Sequence, residues 1–186
     1  MAVKLVDYIK TYDNAIDPDV CESIIRSFSL SNSVYLDREQ RPSYSHINIT
    51  QNKTDPNWKP HQKTLMNVMD TFAEKYITDC QCGPDFPQQY SYEEFRMKCY
   101  NNNGHDQFKD HVDVADYDSA RRFLVAFIYL NTVKVGGHTA FPLLNHQIEP
   151  KCGRILMFPA TWQYRHCGRP PVSSKKFIVG SYLHYL

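Results

Sequence analysis

The chain has 186 residues, a formal net charge of +1 and 22% charged residues. That length suits one domain with a full core, and the near-neutral balance offers no broad basic field, which argues against a nucleic-acid partner. No apolar run approaches the ~20 residues that cross a bilayer, so no membrane association is expected.

The first seventeen residues are interrupted by Lys4, Asp7, Lys10 and Asp13 and do not read as a signal peptide. With six cysteines in a chain large enough to need no disulfide framework, this predicts reduced thiols and a cytoplasmic location. Asp17 followed by Pro18 marks a helix start, and Val20, Ile24, Ile25 and Phe28 then recur at helical spacing. Residues 31–60 are polar and irregular, with edge strands expected near 34–36 and 46–49. A second amphipathic helix is predicted over 59–76, its stripe made of Leu65, Met66, Met69, Phe72, Ala73 and Tyr76. Cys80-Gln81-Cys82 reads as a surface loop, since no second close cysteine pair follows to complete a metal knuckle.

Beyond Tyr90 the pattern changes to short β-like runs separated by turn signals. Strands are predicted over 93–100, 108–114, 122–131, 154–158 and 175–185, with turns at Asn101-Asn102-Asn103-Gly104 and Gly136-Gly137. Helices first and then roughly eight short strands predict an α+β chain whose β part is a jelly roll.

The chemistry concentrates in His111-Val112-Asp113. Two residues apart on a strand, an imidazole and a carboxylate share one face. They supply two ligands of a 2-His-1-carboxylate triad, which holds Fe(II) on one side and leaves positions open on the other. His166 would supply the third ligand from a distant strand, and Lys176 would stand nearby as a cation suited to the far carboxylate of a small diacid. The other histidines read as bland: His105 in a turn, His61 at a helix start and His146 facing solvent, His46 on a strand surface.

From Tyr100 to His184 the chain resembles the Fe(II)/2-oxoglutarate-dependent dioxygenases, specifically the prolyl 4-hydroxylase-like group. The resemblance rests on an ordered series: His111-Val112-Asp113, Ile128-Tyr129-Leu130-Asn131, Gly136-Gly137-His138-Thr139-Ala140-Phe141-Pro142, Pro150 to Phe158, His166-Cys167-Gly168-Arg169-Pro170-Pro171-Val172, Lys176 and a closing aromatic strand. It implies a single domain over 1–186, with helical support over about 1–80 and a catalytic double-stranded β-helix over about 90–186. His111, Asp113 and His166 would be the iron ligands, and Lys176, Tyr129, Tyr100 and Thr139 the contacts to 2-oxoglutarate. Lys175, of opposite strand parity to Lys176, should face solvent. The implied reaction consumes O₂ and 2-oxoglutarate, releases succinate and CO₂, and hydroxylates an unactivated carbon, with ascorbate as reductant.

On the same resemblance Arg122, His184, Tyr182 and Phe108 become candidate substrate residues. Arg122 reads equally as a salt-bridge partner of Asp116 or Asp118, and His184 as a surface residue. Arg122 and Tyr129 are seven apart, so either a bulge intervenes or Arg122 sits at the strand mouth. Phe108 stands where peptidyl prolyl 4-hydroxylases have a tyrosine, and His138 replaces an acidic residue. The first-choice substrate is a prolyl residue in a peptide or protein. The alternatives are a free amino acid, another small molecule or a nucleobase, or a metal-binding jelly roll without catalysis.

Overall fold

The computed structural model describes residues 3–38 and 42–186. Residues 1–2, in the polar N-terminal run, and 39–41, in the predicted irregular stretch, lie outside the described residues. After a short 3₁₀ turn (Leu5–Tyr8) the chain makes β1 (Lys10–Tyr12) and then α1 (Pro18–Ser29). Asp17 caps α1 as its sequence position predicts, its side chain accepting from the Asp19 N–H at 2.8 Å with Pro18 at the first helical position. Next come β2 (Val34–Asp37), β3 (Ser43–Asn48) and α2 (Lys59–Asp79). Then follow β4 (Tyr90–Tyr92), β5 (Arg96–Tyr100), β6 (Phe108–His111), β7 (Arg122–Tyr129) and β8 (Thr139–Phe141). The last four are β9 (His146–Ile148), β10 (Arg154–Pro159), β11 (His166–Gly168) and β12 (Lys176–Tyr185).

All pairings among these strands are antiparallel. The larger sheet runs β1-β10-β7-β12-β5-β3-β2, with β4 added against β12. The smaller runs β6-β11-β8-β9. Two facing sheets of this kind form the double-stranded β-helix expected from the sequence.

Strand β7 is apolar beyond Arg122 because it is covered on both sides. Leu124, Ala126 and Ile128 face outward into a core shared with Ile24 and Phe28 of α1 and Leu65, Met69, Ala73 and Tyr76 of α2. Val125 and Tyr129 face inward, toward Phe141, Ile148, Leu156 and Phe158. The helices therefore back the larger sheet, and the space between the sheets is left for a site. On α2 the buried stripe is Leu65, Met69, Ala73 and Tyr76, while Met66 falls off it and is exposed.

Several expected boundaries shift. The run 93–100 shortens to β5, because residues 93–95 leave the ladder, and β4 precedes it. Strand β3 is interior to the larger sheet, between β5 and β2, so of the two expected edge strands only β2 is one. The three-residue strands β1, β4, β8, β9 and β11 are too short to show a period-2 pattern. His61 is buried, its Nε2 3.0 Å from Ser27 Oγ across the α1–α2 contact, so the solvent-facing assignment is corrected.

Candidate active site

Strands β6 and β11 pair with His166 directly opposite His111, and the two ring centroids lie 4.3 Å apart. The Nδ1 atoms are 2.8 Å from the Lys109 carbonyl oxygen (His111) and 3.0 Å from the Tyr164 carbonyl oxygen (His166). A carbonyl only accepts, so each Nδ1 carries the proton and each Nε2 presents a lone pair. Burial, together with the neighbouring His166 ring, pushes His111 down to about 4, which keeps it neutral at pH 7.

Asp113 joins them by a different route from the one its spacing suggests. Strand β6 ends at His111, and Asp113 lies in the bend beyond it, so strand alternation does not bring the pair together. The bend is held instead by Arg122, whose Nη1 donates to the Asp113 carbonyl at 3.0 Å. Tyr182 Oη donates to Asp113 Oδ1 at 2.8 Å, which orients the carboxylate. Asp113 Oδ2 is buried with no hydrogen-bond partner, 3.6 Å from His166 Nε2. The ligand atoms of His111, Asp113 and His166 all lie within 4.8 Å of one another.

Two bare imidazole nitrogens and an orphaned carboxylate oxygen at one buried point carry a desolvation cost that a divalent cation removes. Two nitrogens and one oxygen on one side, with space opposite, fit Fe(II).

The space opposite is a cavity of about 370 Å³ between the sheets. Lys176 lies at its inner end, 2% exposed and opposite Tyr100 in the β12–β5 register. Its Nζ donates to the Gly137 carbonyl at 3.0 Å and stands 4.5 Å over the Tyr100 ring. Lys175 is exposed, in line with its parity. Burial pushes the Lys176 ammonium down to about 7. The turn that supplies the Gly137 carbonyl needs glycine. Gly136 and Gly137 both have positive φ, and a Cβ on Gly136 would come within 2.5 Å of the Pro170 oxygen. Tyr129 Oη donates to Thr139 Oγ1 at 2.6 Å beside this turn. Of the four predicted cosubstrate residues, Lys176 is a buried cation with no carboxylate partner among the described residues, Tyr100 lies under it, and Thr139, bonded to Tyr129, lines the same cavity. A small dicarboxylate would supply that partner.

The predicted substrate residues divide. Arg122 lines the cavity, and the carboxylate it meets is Glu93, in a bidentate pair at 2.7 and 2.9 Å. Glu93 is 29 residues away in sequence, a partner the nearby aspartates concealed. Of the two alternatives for Arg122 the bulge is present, at the first residues of β7: across the Leu183/His184 shift Leu124 pairs with Leu183 and Arg122 with His184, leaving Phe123 as the extra residue. Tyr182 lines the cavity under the Arg122 guanidinium, 4.1 Å from ring to Cζ. Phe108 lines it too, stacked on His111 at 3.6 Å and 8°. His184, beyond the bulge, is not among the residues that line the cavity.

Sequence reasoning missed Lys98. It shares the face of Tyr100, two residues on along β5, and lines the cavity with it. Strand parity alone would have found it.

The family model described as the 2OG-Fe(II) oxygenase superfamily matches residues 95–184, a span that holds all three triad residues and Lys176. Over that span, just under half of the chain, the sequence is similar to that superfamily. A curated relative, named "Putative prolyl 4-hydroxylase" from Acanthamoeba polyphaga mimivirus, is 27% identical over 180 residues, covering 90% of this chain and 70% of the relative. Among solved structures, the viral collagen prolyl hydroxylase from Paramecium bursaria Chlorella virus-1, in its 2-oxoglutarate complex, superposes with a TM-score of 0.73. It is 16% identical, over 96% of this chain and 97% of that one. A Pseudomonas putida prolyl-4-hydroxylase gives 0.71 at 16% identity, over 96% and 93% of the two chains. These likenesses establish the fold. The family match, the mimivirus relative and the clustered triad together make the chain an enzyme, a dioxygenase that uses Fe(II) and 2-oxoglutarate, with the triad as its candidate iron site.

Replacing His166 by Ala should weaken anaerobic Fe(II) binding by roughly a hundredfold or more with the fold intact by circular dichroism, and unchanged binding would remove His166 from the metal. Lys176→Met should raise the Kd for 2-oxoglutarate ~10- to 150-fold, the loss of one charge-assisted bond of about 1.5–3 kcal/mol. Because the buried ammonium titrates near 7 and an anion partner raises it, 2-oxoglutarate binding to the native protein should take up a proton at pH 8. Its affinity should fall as pH rises above 7. Calorimetry in buffers of different ionisation enthalpy measures both effects.

Proposed function

We propose that this dioxygenase hydroxylates a prolyl residue in a peptide or protein. The observation that carries the proposal is the cavity's arrangement: the triad and Lys176 line one side, and Phe108, Tyr182 and Arg122 line the approach to the same metal face. Similarity to proteins named as prolyl hydroxylases supports the substrate class. One solved neighbour, a Trichoplax adhaerens prolyl hydroxylase, is in complex with a peptide fragment of a hypoxia inducible factor. It has a TM-score of 0.71 and 13% identity over 96% and 84% of the two chains.

When bound, ferrous iron and 2-oxoglutarate supply the O₂-dependent chemistry that yields succinate, CO₂ and a hydroxylated carbon. The chain's own part is placement. His111 Nε2, His166 Nε2 and Asp113 Oδ2 would hold the metal, with the two Nδ1–H bonds fixing the rings. Lys176 would meet the distal carboxylate of 2-oxoglutarate, with Tyr100 and the Tyr129–Thr139 pair around it. Burial raises the Tyr100 and Tyr129 phenols, so both remain protonated donors. Tyr182 keeps the Asp113 carboxylate turned toward the metal. The stacked ring of Phe108 offers an apolar surface to a pyrrolidine and excludes water beside His111.

Ascorbate would serve as the external reductant, and the six free cysteines suit a reducing cytoplasmic setting.

The test is succinate formation by purified protein with Fe(II), 2-oxoglutarate and ascorbate, offered proline-rich peptides, free proline or single-stranded DNA. A mass gain of one oxygen on a peptide proline, matched by succinate, is expected. Oxidation of DNA or of free proline alone would contradict the peptide assignment.

A further inference from the structure

Eight formally charged side chains besides the histidines line the cavity among the described residues: Arg38, Arg96, Lys98, Arg122 and Lys176 against Glu93, Glu94 and Asp113. Most are already committed. Arg122 is held by Glu93, and Arg96 by Glu94 at 2.8 Å. Asp113 belongs to the metal set and Lys176 to the cosubstrate pocket. A ferrous ion and a doubly ionised 2-oxoglutarate cancel each other's charge, so loading the site leaves the positive excess in place. Of the two remaining cations Arg38 is exposed at the rim, and Lys98 is the one that reaches inward.

Lys98 is half-buried on β5, between Arg96 and Tyr100 on one face and opposite Ile178 of β12. Its Nζ stands 5.3 Å from the Tyr44 ring and 5.5 Å from the Phe108 ring. The second of these rings is the one stacked on His111, which puts the ammonium beside the metal face rather than at the pocket's inner end. No carboxylate pairs with it among the described residues. Two ring faces hold a cation in place but compensate its lost hydration only in part. Burial pushes this ammonium down to about 8, and Asp113 acts against that fall.

We propose that Lys98 is a specificity-determining residue that receives a carboxylate of the substrate, carried close to the carbon that is hydroxylated. This deepens the prolyl reading and rests on it. Two sources share the chemistry: an acidic side chain next to the target proline, or the carboxylate of a free amino acid. The cavity favours either over a neutral, collagen-like repeat, because a neutral chain would leave a half-buried ammonium unpaired beside the reacting atoms.

The test measures binding to the Mn(II)- and 2-oxoglutarate-loaded protein under anaerobic conditions, so it does not depend on turnover. The probes are blocked peptides that differ only as Pro-Glu against Pro-Gln or Glu-Pro against Gln-Pro, and free proline against prolinamide. The native protein should prefer the acidic member of at least one pair by tenfold or more. Lys98→Met should abolish that preference, and Lys98→Glu should transfer it to a Lys-containing peptide. Which pair responds identifies the source of the carboxylate. Equal binding of the acidic and neutral members of every pair would overturn the proposal, as would a preference that survives in Lys98→Met. A loss of 2-oxoglutarate affinity in Lys98→Met as large as that in Lys176→Met would assign Lys98 to the cosubstrate and also overturn it. An acidic preference in this binding test, with no oxidised proline when the same probes are given to the Fe(II)-loaded protein with 2-oxoglutarate and O₂, would instead sink the prolyl reading and leave the role of Lys98 standing.

Discussion

Opposite one another across β6 and β11, His111 and His166 each give an N–H to a carbonyl of their own strand region and turn a bare nitrogen inward, where a carboxylate oxygen without a partner meets them. Left alone, this arrangement costs free energy: three acceptors are desolvated and none is satisfied. It makes physical sense as a receptor for a small, hard divalent cation, and the open side that the ligands do not cover is the cavity. The other features of the site serve this point. Tyr182 leaves one oxygen of Asp113 free by occupying the other, and Arg122 ties the Asp113 backbone to Glu93 in the segment between β4 and β5.

The scaffold explains how such a costly point is tolerated. Strand β7 is buried on both faces, and α1 and α2 shield its outer side with a continuous apolar layer. The polar groups of the site are thereby confined between the sheets, where rigid strands hold them. Lys176 illustrates the same economy. A fully buried ammonium with only a carbonyl and an aromatic ring for company is poised to gain from an incoming dianion, since its desolvation is complete before the ligand arrives. Lys98, further toward the metal face, is in a milder version of that state.

Much of this was legible in the residues. The triad residues, Lys176, Tyr129 and Thr139 were singled out because their motifs occur in a fixed order, and the helices because their apolar stripes have a 3.6-residue period. The failures have particular causes. Asp113 was assigned to a strand by alternation, but its place depends on bonds from Tyr182 and Arg122, which lie far along the chain. Glu93 was invisible as the partner of Arg122 because only folding brings β7 beside the segment between β4 and β5. A bulge leaves no mark in a run of apolar residues, so parity alone could not choose between a bulge at Phe123 and the strand mouth for Arg122. His61 was misplaced because a hydrogen bond to Ser27, unpredictable from either helix alone, makes its burial affordable. Lys98 was legible and was overlooked.

The most direct measurement is an anaerobic crystal structure with Mn(II) and 2-oxoglutarate. One metal ion should be bound by His111 Nε2, His166 Nε2 and Asp113 Oδ2, with the distal carboxylate of 2-oxoglutarate against the Lys176 ammonium. A metal ion held by other residues, or a 2-oxoglutarate turned away from Lys176, would contradict the account.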